Sequence, residues 1–568
     1  MFIRSALVAV LVCALPALCA PQQVPRTPPR HNGPFNVREF GAAGNGSALD
    51  TEAIQRAIRA ASAAGGGTVV FEPGVYVTGT FELLSNVTLD LESGATLRGS
   101  TRVSDYRPIS DFGFARNYGV DSTGEGVRLG IIVAHNAENI SIIGRGVIDG
   151  NSDAFIDPHK PHYSMDFDPQ ATRQGEAFMN AVLATGDGPI EFGPDGRPGT
   201  LIAFLNCRNI LMRDITLRHS ANWTVHFQTV RQAVVDGVHI DNDPRIPNND
   251  GFDCMGCHDV HYSNLDILTG DDDFAIVGSD DITVSNCSML SNSSAIRLED
   301  TRFSVFSNLV IHANRGIGIF ERGGGHTANV LFSNLTIDTF LLTGHWWGKG
   351  EPIYVAVGET GGNAGVVRGV RFSHLSGDAE NGIVLFGGPK GSIEDISFDH
   401  VSFRFRVTRP QVNAAVGGNF DLRWTAGGPA NGIVRHDAPG LYARYVDGLI
   451  IDALDLAWTD AMPDYYSSAL QIEDARNVDI NRFRGRQAGL QSKTPVIALA
   501  RVEGISIRNS AATEGATTFV SMDHVTGQKL FVENDLSGAQ RSFDVAPRFT
   551  LSGNLLSHGK ESRTSAAQ

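Results

Sequence analysis

The feature that most constrains the fold of this chain is a repeat of about 22 residues. The fragments NDGFD at 249–253 and GDDDF at 270–274 superpose when one is shifted by 22 residues, which places Phe252 on Phe274 and Asp250 on Asp272. A second shift of the same size places Ile296 on Phe274. A chain that repeats in this way stacks equivalent side chains of successive units, carboxylates included.

The repeat extends well beyond these two fragments. Each unit contains short alternating strands rich in Val, Ile and Phe, separated by Gly, Asn, Asp and Ser, which is typical of strands and turns rather than helices. The sequence therefore predicts an all-β fold, a right-handed parallel β-helix whose coils stack about 4.8 Å apart. Clear units begin at Arg208, Arg231, His258, Asp280, Arg302 and Ala328.

The N-terminal part does not follow the repeat. Residues 1–20 have one basic residue, Arg4, followed by an apolar stretch and small residues, which is typical of a secretory signal peptide. We therefore expect a secreted or periplasmic protein. Residues 35–100 are expected to form a cap and the first coils, with Asp50 as the N-cap of a short helix that covers the open end of the solenoid.

Residues 101–555 are expected to form the β-helix. Irregular stretches at 151–199, which include a probable helix QGEAFMNAVLAT, and at 341–365 are expected to be inserted loops on one face of the coils. Residues 556–568 are expected to be a disordered tail.

Composition excludes several classes of function. A net charge of −16 disfavours nucleic acid as a partner, and no apolar run after the first twenty residues reaches membrane-spanning length. The mature chain is expected to be a monomer. Its cysteines lack the second pair that a zinc site needs, so we expect buried positions or a local disulfide for Cys207, Cys254, Cys257 and Cys287.

The repeat brings acidic residues together. If Phe252, Phe274 and Ile296 form one inward stack, alternation points Asp253, Ala275 and Arg297 outward, and Met255, Val277 and Glu299 two residues further on. Asp250, Asp271 and Asp272 then crowd into one patch, where like charges raise the pKa of at least one carboxyl group. One protonated acid beside ionised partners is what cleavage of a glycosidic bond requires. The same residues could instead cap turns or bind Ca²⁺.

At this point the sequence resembles a known family. The stretches IPNNDGFD and GDDDFAI resemble the NTDG and GDD signatures of glycoside hydrolase family 28, and the similarity spans roughly residues 35–339. The resemblance implies a pectin-lyase-like β-helix and hydrolysis that inverts the anomeric centre. It also implies that Asp271 is the general acid, that Asp250 and Asp272 activate water, and that no metal or other cofactor takes part.

The chain departs from the family pattern in two places. The Gly-His-Gly motif is replaced by the stretch NSSAIR at 292–297, and the Arg-Ile-Lys motif by GIGIF at 316–320. The cations that would hold a substrate carboxylate are therefore missing from their usual positions. Either Arg297 or Arg322 could replace them, or the substrate could lack a carboxylate at that subsite. We expect a relative of the polygalacturonases that acts on a pectic or other uronic-acid-containing polysaccharide or oligosaccharide.

Other residues flank the acidic cluster and are candidates for substrate contacts. The adjacent tryptophans of the second inserted loop could stack on sugar faces or fold onto the coil wall. His226 is expected to be structural rather than an acid or a base. The candidate substrate-binding residues are Asn249, Asp253, Arg297, Glu299, Arg322, Trp346, Trp347 and Lys349.

Two other functions fit the same residues. A Ca²⁺-dependent β-helix polysaccharide lyase would use the aspartates, including Asp253 and Asp273, to hold the ion against a uronate, with Arg297 as base. A non-catalytic glycan-binding solenoid would share the fold without the chemistry.

Overall fold

The protein is described from a computed structural model. The description covers residues 33–112, 128–161, 171–178, 185–193, 195–344, 346–389, 392–422, 432–490, 493–544, 550–557 and 560–561. The expected signal peptide at 1–20 lies outside these residues, as do 179–184 of the expected helix at 174–185, of which 176–178 are helical.

The chain winds through three parallel β-sheets, which each coil visits in turn. Hydrogen bonds join each strand to the strand of the next coil in the same sheet, and nearly every pairing is parallel. This is the predicted right-handed parallel β-helix. The strands confined to the first sheet are Phe35–Asn36, Gly67–Phe71, Val87–Leu91, Glu138–Gly144, Arg208–Arg213, Arg231–Asp236, His258–Ser263, Val366–Arg368, Thr526–Val532 and Thr550–Ser552.

The second and third sheets complete each coil. The strands confined to the second sheet are Asn45–Leu49, Gly74–Thr78, Ala95–Gly99, Val147–Asp149, Thr216–Arg218, His239–Asp241, Asp266–Thr269, Arg484–Gly485 and Ala511–Ala512. Those confined to the third sheet are Phe81–Glu82, Ile132–His135, Ile202–Leu205, Val225–Gln228, Phe252–Met255, Phe274–Val277, Ile353–Val357, Ile383–Phe386, Leu441–Arg444, Ala516–Asp523 and Ala539–Phe543.

Longer strands bend around the corners between sheets, and short elements lie outside them. The bent strands are Asp280–Glu299, Arg302–Glu321, His326–Thr339, Arg371–Ala379, Ser392–Phe405, Val446–Trp458, Leu470–Asn481 and Ile497–Arg508. The antiparallel pairs are Ile156–Pro161 with Ile190–Phe192, Glu359–Thr360 with Asn363–Ala364, Asn419–Asp421 with Ile433–Arg435, and Leu555–Leu556 with Lys560–Glu561. The helices are Thr51–Ala63 and Pro410–Val416, with 3₁₀ turns at Val37–Phe40, Val103–Asp105, Ile109–Phe112 and Ser152–Ala154.

The predicted register of the repeat is confirmed. Phe252 pairs with Phe274, and Phe274 with Ile296, as one inward column of the third sheet. The rings of Phe252 and Phe274 stack with centroids 5.6 Å apart, and both side chains are fully buried. Because side chains alternate along a strand, the residues that directly follow this inward column face outward. They form a second column, which contains Asp253 and Arg297.

Asparagine stabilises one corner of the coils. Asn264, Asn286, Asn308 and Asn334 all have φ near +57°. The side-chain amides of the last three each donate to the side-chain oxygen of the asparagine one coil earlier, at 3.4, 3.2 and 3.3 Å. Asparagine adopts this left-handed conformation more readily than other non-glycine residues, so the corner can turn without glycine.

The helix Thr51–Ala63 covers the N-terminal end of the solenoid. Its apolar face buries Ile54, Ala57 and Ile58 against the first coils. Asp50 is the N-cap residue of this helix as expected, but its side chain makes no capping hydrogen bond and accepts from the backbone N–H groups of Ala43 and Gly44, at 2.7 and 3.0 Å. The carboxylate therefore stabilises the loop that precedes the helix.

The inserted loops of the structure have different bounds from the expected ones. The stretch expected as an inserted loop at 341–365 contains Ile353–Val357, a fully buried strand of the third sheet, so the excursion before it ends at 352. A further excursion at 406–440, with a helix and a hairpin, was not expected at all. The tail expected from 556 begins with an antiparallel pair, Leu555–Leu556 with Lys560–Glu561.

The remaining expectations concern cysteines and membranes. All four cysteines of the described chain are buried and unpaired, so the local disulfide is not formed. Within the described ranges, no helix combines the length and apolarity needed to cross a bilayer.

We predict that Ile58→Ala lowers the free energy of unfolding by about 2–5 kcal/mol, because it leaves a cavity under the cap helix. Arg59→Ala, on the exposed side of the same helix, should change it by less than about 0.5 kcal/mol. Chemical denaturation of both variants measures the difference. Equal effects would show that the helix does not close the core.

Candidate active site

Three carboxylates meet in the loops that lead from the second sheet into the third. Asp250 precedes the strand Phe252–Met255, and Asp271 and Asp272 precede the strand Phe274–Val277 of the next coil. One carboxylate oxygen from each of the three residues lies within 4.8 Å of the other two. The structure therefore brings the three predicted catalytic residues together.

Asn249 holds the loop that contains Asp271. Its Oδ1 accepts from the backbone N–H groups of Gly270 and Asp271, at 2.6 and 3.3 Å, while its Nδ2 donates to the Asp243 carbonyl at 2.8 Å. Asn249 is fully buried, so the expectation that it contacts substrate is corrected: it positions Asp271. A Cβ on Gly270 would lie 2.4 Å from the Ile246 carbonyl oxygen, so only glycine fits this turn.

The three carboxylates differ in their hydrogen bonds. Asp271 accepts from the backbone N–H and the side chain of Asn248, at 3.2 and 3.4 Å, and from the backbone N–H of Asp272, at 3.1 Å. Asp272 accepts from the Ser294 backbone N–H at 3.2 Å. The Oδ1 atom of Asp250 is buried without a hydrogen-bond partner in the described part of the chain. Such an orphaned acceptor is suited to receive a water or a substrate hydroxyl.

The electrostatics of the cluster favour protonation. Burial, together with the charge of Asp271, raises the pKa of Asp272 to about 7. Burial and neighbouring carboxylates raise the pKa of Asp250 well above its usual range, and burial raises that of Asp271 against the hydrogen bonds that lower it. Because the carboxyl groups interact strongly, the apparent pKa values belong to the cluster rather than to single residues. At neutral pH the cluster can therefore hold a proton donor beside an ionised acceptor.

The same three oxygens have the spacing of a possible cation site. Ca²⁺ prefers carboxylate oxygens, so the geometry alone does not separate a hydrolase from the Ca²⁺-dependent lyase considered above. The two differ in their need for the ion, which a chelator tests.

The outward column of the third sheet forms the floor beside these carboxylates. It runs through His226, Asp253, Ala275 and Arg297 in successive coils. Asp253 is 1% exposed, and neither of its carboxylate oxygens has a hydrogen-bond partner among the described residues. Burial and the charge of Asp272 raise its pKa well above the usual range.

His226 lies in the same column and is buried. Burial lowers its pKa to about 4, so the ring is neutral at physiological pH. Its Nε2 lies 3.3 Å from Gln228 Oε1. These contacts agree with a structural residue rather than a catalytic acid.

Arg297 and Arg322, the candidates to bind a substrate carboxylate, both pair with protein carboxylates. Arg297 Nη2 lies 3.2 Å from Glu299 Oε2, and its Nε lies 3.9 Å from Asp272 Oδ2. Arg322 Nε donates to the other oxygen of Glu299 at 3.0 Å. Glu299 therefore forms ion pairs with guanidinium groups from two successive coils.

Two of the expected substrate contacts are buried and hydrogen-bonded within the protein, and their contact with substrate stays a prediction. Trp346 is 2% exposed, and its Nε1 donates to the Asp187 carbonyl at 2.6 Å, which anchors the loop. Lys349 is 1% exposed, with its Nζ donating to the Gly348 carbonyl at 2.8 Å. Only Trp347 of this group is partly exposed, and its backbone N–H donates to Ser293 Oγ beside the carboxylates.

Arg315 was not predicted as a site residue, and it is fully buried next to the cluster. Its guanidinium lies 3.4 Å from Glu351 and 3.3 Å from Asp421, and 4.1 Å from the centroid of the Tyr354 ring. Arg315 pairs with Ser294 across a register shift, so the 22-residue repeat does not place it. Arg315 follows its partner Ser294 by 21 residues, so an alignment of the two coils needs a gap of one residue to pair them.

A hairpin closes the floor on the C-terminal side of Arg297. In the next coils the outward column becomes Gly318, Tyr354, Val384 and Tyr442, all covered by the hairpin Asn419–Asp421 with Ile433–Arg435. Its Phe420 packs into an apolar cluster there. The buried side chains of that cluster are Phe320, Tyr354, Ala356, Val384, Phe420 and Tyr442.

Three excursions from the solenoid contact one another and wall the site. Asp187, from the first excursion, accepts from Arg409 of the third at 2.7 Å and from the Thr343 backbone N–H of the second at 3.4 Å. Arg197 of the first excursion donates to the Pro247 carbonyl at 2.7 Å, directly before the carboxylates. The floor is therefore bounded at one end and along one side.

Comparison with known proteins agrees with this architecture. Residues 188–292 match the model of glycosyl hydrolases family 28, and residues 34–156 match the model described as rhamnogalacturonase A/epimerase, pectate lyase-like. The first of these segments contains all three clustered carboxylates. The resemblance predicted from the sequence is confirmed: the chain is a divergent, family-28-like protein.

Individual relatives match over parts of the chain. An exo-poly-alpha-D-galacturonosidase of Dickeya chrysanthemi is 29% identical over 216 residues, which are 36% of this chain and 35% of that protein. A probable polygalacturonase of Vitis vinifera is 27% identical over 39% of each chain. The match thus spans well under half the length of either relative. An exopolygalacturonase structure from Thermotoga maritima, 20% identical, covers 75% of this chain and 92% of its own with a TM-score of 0.53, which supports the fold.

We predict that the cluster destabilises the folded protein as pH rises. The pKa of Asp272 is higher in the folded than in the unfolded chain, so the stability that its protonation contributes is full below about pH 4 and is lost as pH rises through about 7. The melting temperature of Asp272→Asn, minus that of the unmodified protein, should therefore increase as pH rises from 5 to 8. Asp280→Asn, in an exposed ion pair with Arg302, is the control and should show no such gain. A difference between Asp272→Asn and the unmodified protein that does not change with pH would contradict the account.

Proposed function

We propose that this chain, a divergent relative of glycosyl hydrolases family 28, is a secreted O-glycosyl hydrolase of pectic or related glycans. The observation that carries the proposal is the meeting of Asp250, Asp271 and Asp272 within 4.8 Å at the bounded end of the floor. The match of residues 188–292 to the family supports it. Secretion rests on the leader-like residues 1–20.

In the proposed mechanism, Asp271 donates a proton to the glycosidic oxygen as the bond to the anomeric carbon breaks. Asp250 and Asp272 hold a water between them, and one of them accepts its proton as the water attacks the anomeric carbon. The raised pKa values support one carboxyl keeping its proton while a neighbour is ionised, and the assignment of that proton to Asp271 rests on the family resemblance. Asn249 and Asn248 contribute by holding Asp271 in place.

The stereochemistry is a separate part of the proposal. Carboxyl groups of inverting glycosidases usually stand about 6.5–9.5 Å apart, and those of retaining enzymes about 5–5.5 Å. The oxygens here are closer than the inverting range, so inversion rests on the family resemblance and on the availability of two carboxylates for one water.

We also propose that the protein acts from a chain end. The hairpin at 419–435 covers the floor one coil beyond Arg297, which leaves no open groove for a polymer to continue in that direction. The contacts of Asp187 with the second and third excursions support the same restriction. The partial similarity to the exo-poly-alpha-D-galacturonosidase of Dickeya chrysanthemi is in line with this proposal.

We predict that Asp271→Asn lowers kcat by about 10²- to 10⁴-fold while the protein stays folded, because it removes the proton donor. Release of reducing ends from pectic oligosaccharides measures turnover, and circular dichroism checks the fold. Asp280→Asn, remote from the site, should keep full activity. Anomer-resolved NMR of the first product should show inversion.

Two outcomes would overturn this assignment. Retention of most activity in Asp271→Asn would remove the proposed acid. Unsaturated products that absorb in the ultraviolet, formed only without chelator, would identify the Ca²⁺-dependent lyase instead.

We predict that one small product accumulates from the earliest time points, because the bounded end accepts only a chain terminus. Size analysis of the products, with viscosity followed in parallel, measures this. Phe420→Ala, which loosens the hairpin, should admit longer products, whereas Phe386→Ala, at the edge of the same apolar cluster, should not. A ladder of intermediate sizes from the unmodified protein would contradict exo action.

A further inference from the structure

We propose that the sugar held at the bounded end of the site is uncharged, so that the preferred terminal unit is a neutral glycosyl residue rather than a uronate. This inference rests on the proposed glycosidase function and names its substrate class more closely. It follows from how the charged side chains at this end are paired, which the sequence did not show.

Carboxyl groups outnumber basic side chains around the bounded end. The carboxyl groups there are Asp250, Asp253, Asp271, Asp272, Asp273, Glu299, Glu351 and Asp421. The basic side chains of the described chain that accompany them are Arg297, Arg315, Arg322 and Lys349. A bound uronate would need a basic partner of its own, because an unpaired carboxylate in a desolvated site is costly.

The basic groups at this end are already engaged. Glu299 binds Arg297 and Arg322 at 3.2 and 3.0 Å, and Arg315 lies fully buried between Glu351 and Asp421. A uronate would have to displace one of these protein carboxylates before it could form its own ion pair. The displaced carboxylate would then lose its partner in a water-poor environment, which is costly.

The fold also prevents a new cation at the next outward position. Gly318 follows Arg297 in the floor column, and a Cβ there would lie 2.6 Å from the Phe320 ring and 3.2 Å from Arg315 Cδ. Phe320, the next outward position, is itself buried under the hairpin. Both positions are therefore closed to a side chain that could hold a carboxylate.

Neutral hydroxyl groups suit the polar atoms that remain. Asp250 Oδ1 and both oxygens of Asp253 are buried acceptors without hydrogen-bond partners in the described structure. Sugar hydroxyls donate hydrogen bonds and carry no charge, so they can satisfy these atoms without electrostatic cost. Asp253, 1% exposed at the floor, is placed to hold such a hydroxyl.

The test uses matched oligosaccharides that differ only in charge. Pectic oligosaccharides with terminal uronates are compared with the same preparation after reduction of the carboxyl groups to primary alcohols, and kcat/KM is measured for both. We expect the reduced substrate to be cleaved at least tenfold more efficiently. Its kcat/KM should not change between 0.05 and 0.5 M NaCl, because no ion pair forms on binding.

A variant tests the cause. Glu299→Gln releases Arg297 and Arg322 from their shared carboxylate, so it should raise kcat/KM for the uronate and narrow the difference between the two substrates. Asp280→Asn, which breaks an exposed Arg302 pair elsewhere, should leave the ratio unchanged.

The outcomes separate this inference from the function on which it rests. Equal or better cleavage of the uronate would overturn the neutral subsite and leave the hydrolase intact. An unchanged ratio in Glu299→Gln would overturn the assigned cause. Failure of the unmodified protein to cleave either substrate, together with no binding of either to Asp271→Asn by calorimetry, would overturn both proposals.

Discussion

The whole site depends on the close stacking of successive coils. The backbone hydrogen bonds between neighbouring strands hold equivalent positions about 4.8 Å apart, so acidic residues that recur with the repeat cannot avoid one another. Asp250 and Asp272 occupy equivalent positions, and the tight turn at Gly270 adds Asp271. Burial denies these carboxylates the water that would screen them. Burial first, and then this enforced proximity, raises the pKa values of Asp250 and Asp272.

The solenoid supplies this proximity, while the excursions decide what can reach it. The hairpin Asn419–Asp421 with Ile433–Arg435 covers positions that would otherwise continue the floor, and Arg315 fixes it from below through Asp421. Gly348 also donates its backbone N–H to Asp421, at 3.1 Å, which ties the second excursion to the third. A buried charge with two carboxylate partners is sensitive to the loss of either, so these loops are held in one arrangement. In the proposed function, the coils supply the catalytic carboxylates and the loops set which substrates reach them.

The sequence predicted what the repeat determines and missed what lies outside it. The inward column of Phe252, Phe274 and Ile296 could be found because residue spacing alone sets the register. The burial of side chains in the excursions could not be predicted, because it depends on contacts between segments that are distant in sequence. Trp346 was a candidate to stack on a sugar, but its indole N–H donates to the carbonyl of Asp187, which is 159 residues away in sequence. Arg315 was hidden by a one-residue register shift, and its partner Asp421 by an excursion that carries no repeat signal.

The most direct test of the central claim is a crystal structure of Asp271→Asn with a bound pectic oligosaccharide. The account predicts that the scissile glycosidic oxygen lies within hydrogen-bond distance of residue 271 and that one water is held between Asp250 and Asp272. It also predicts that the chain end lies against the hairpin at 419–435. An oligosaccharide bound away from these three residues, or carboxylates that separate to different walls when it binds, would contradict the account.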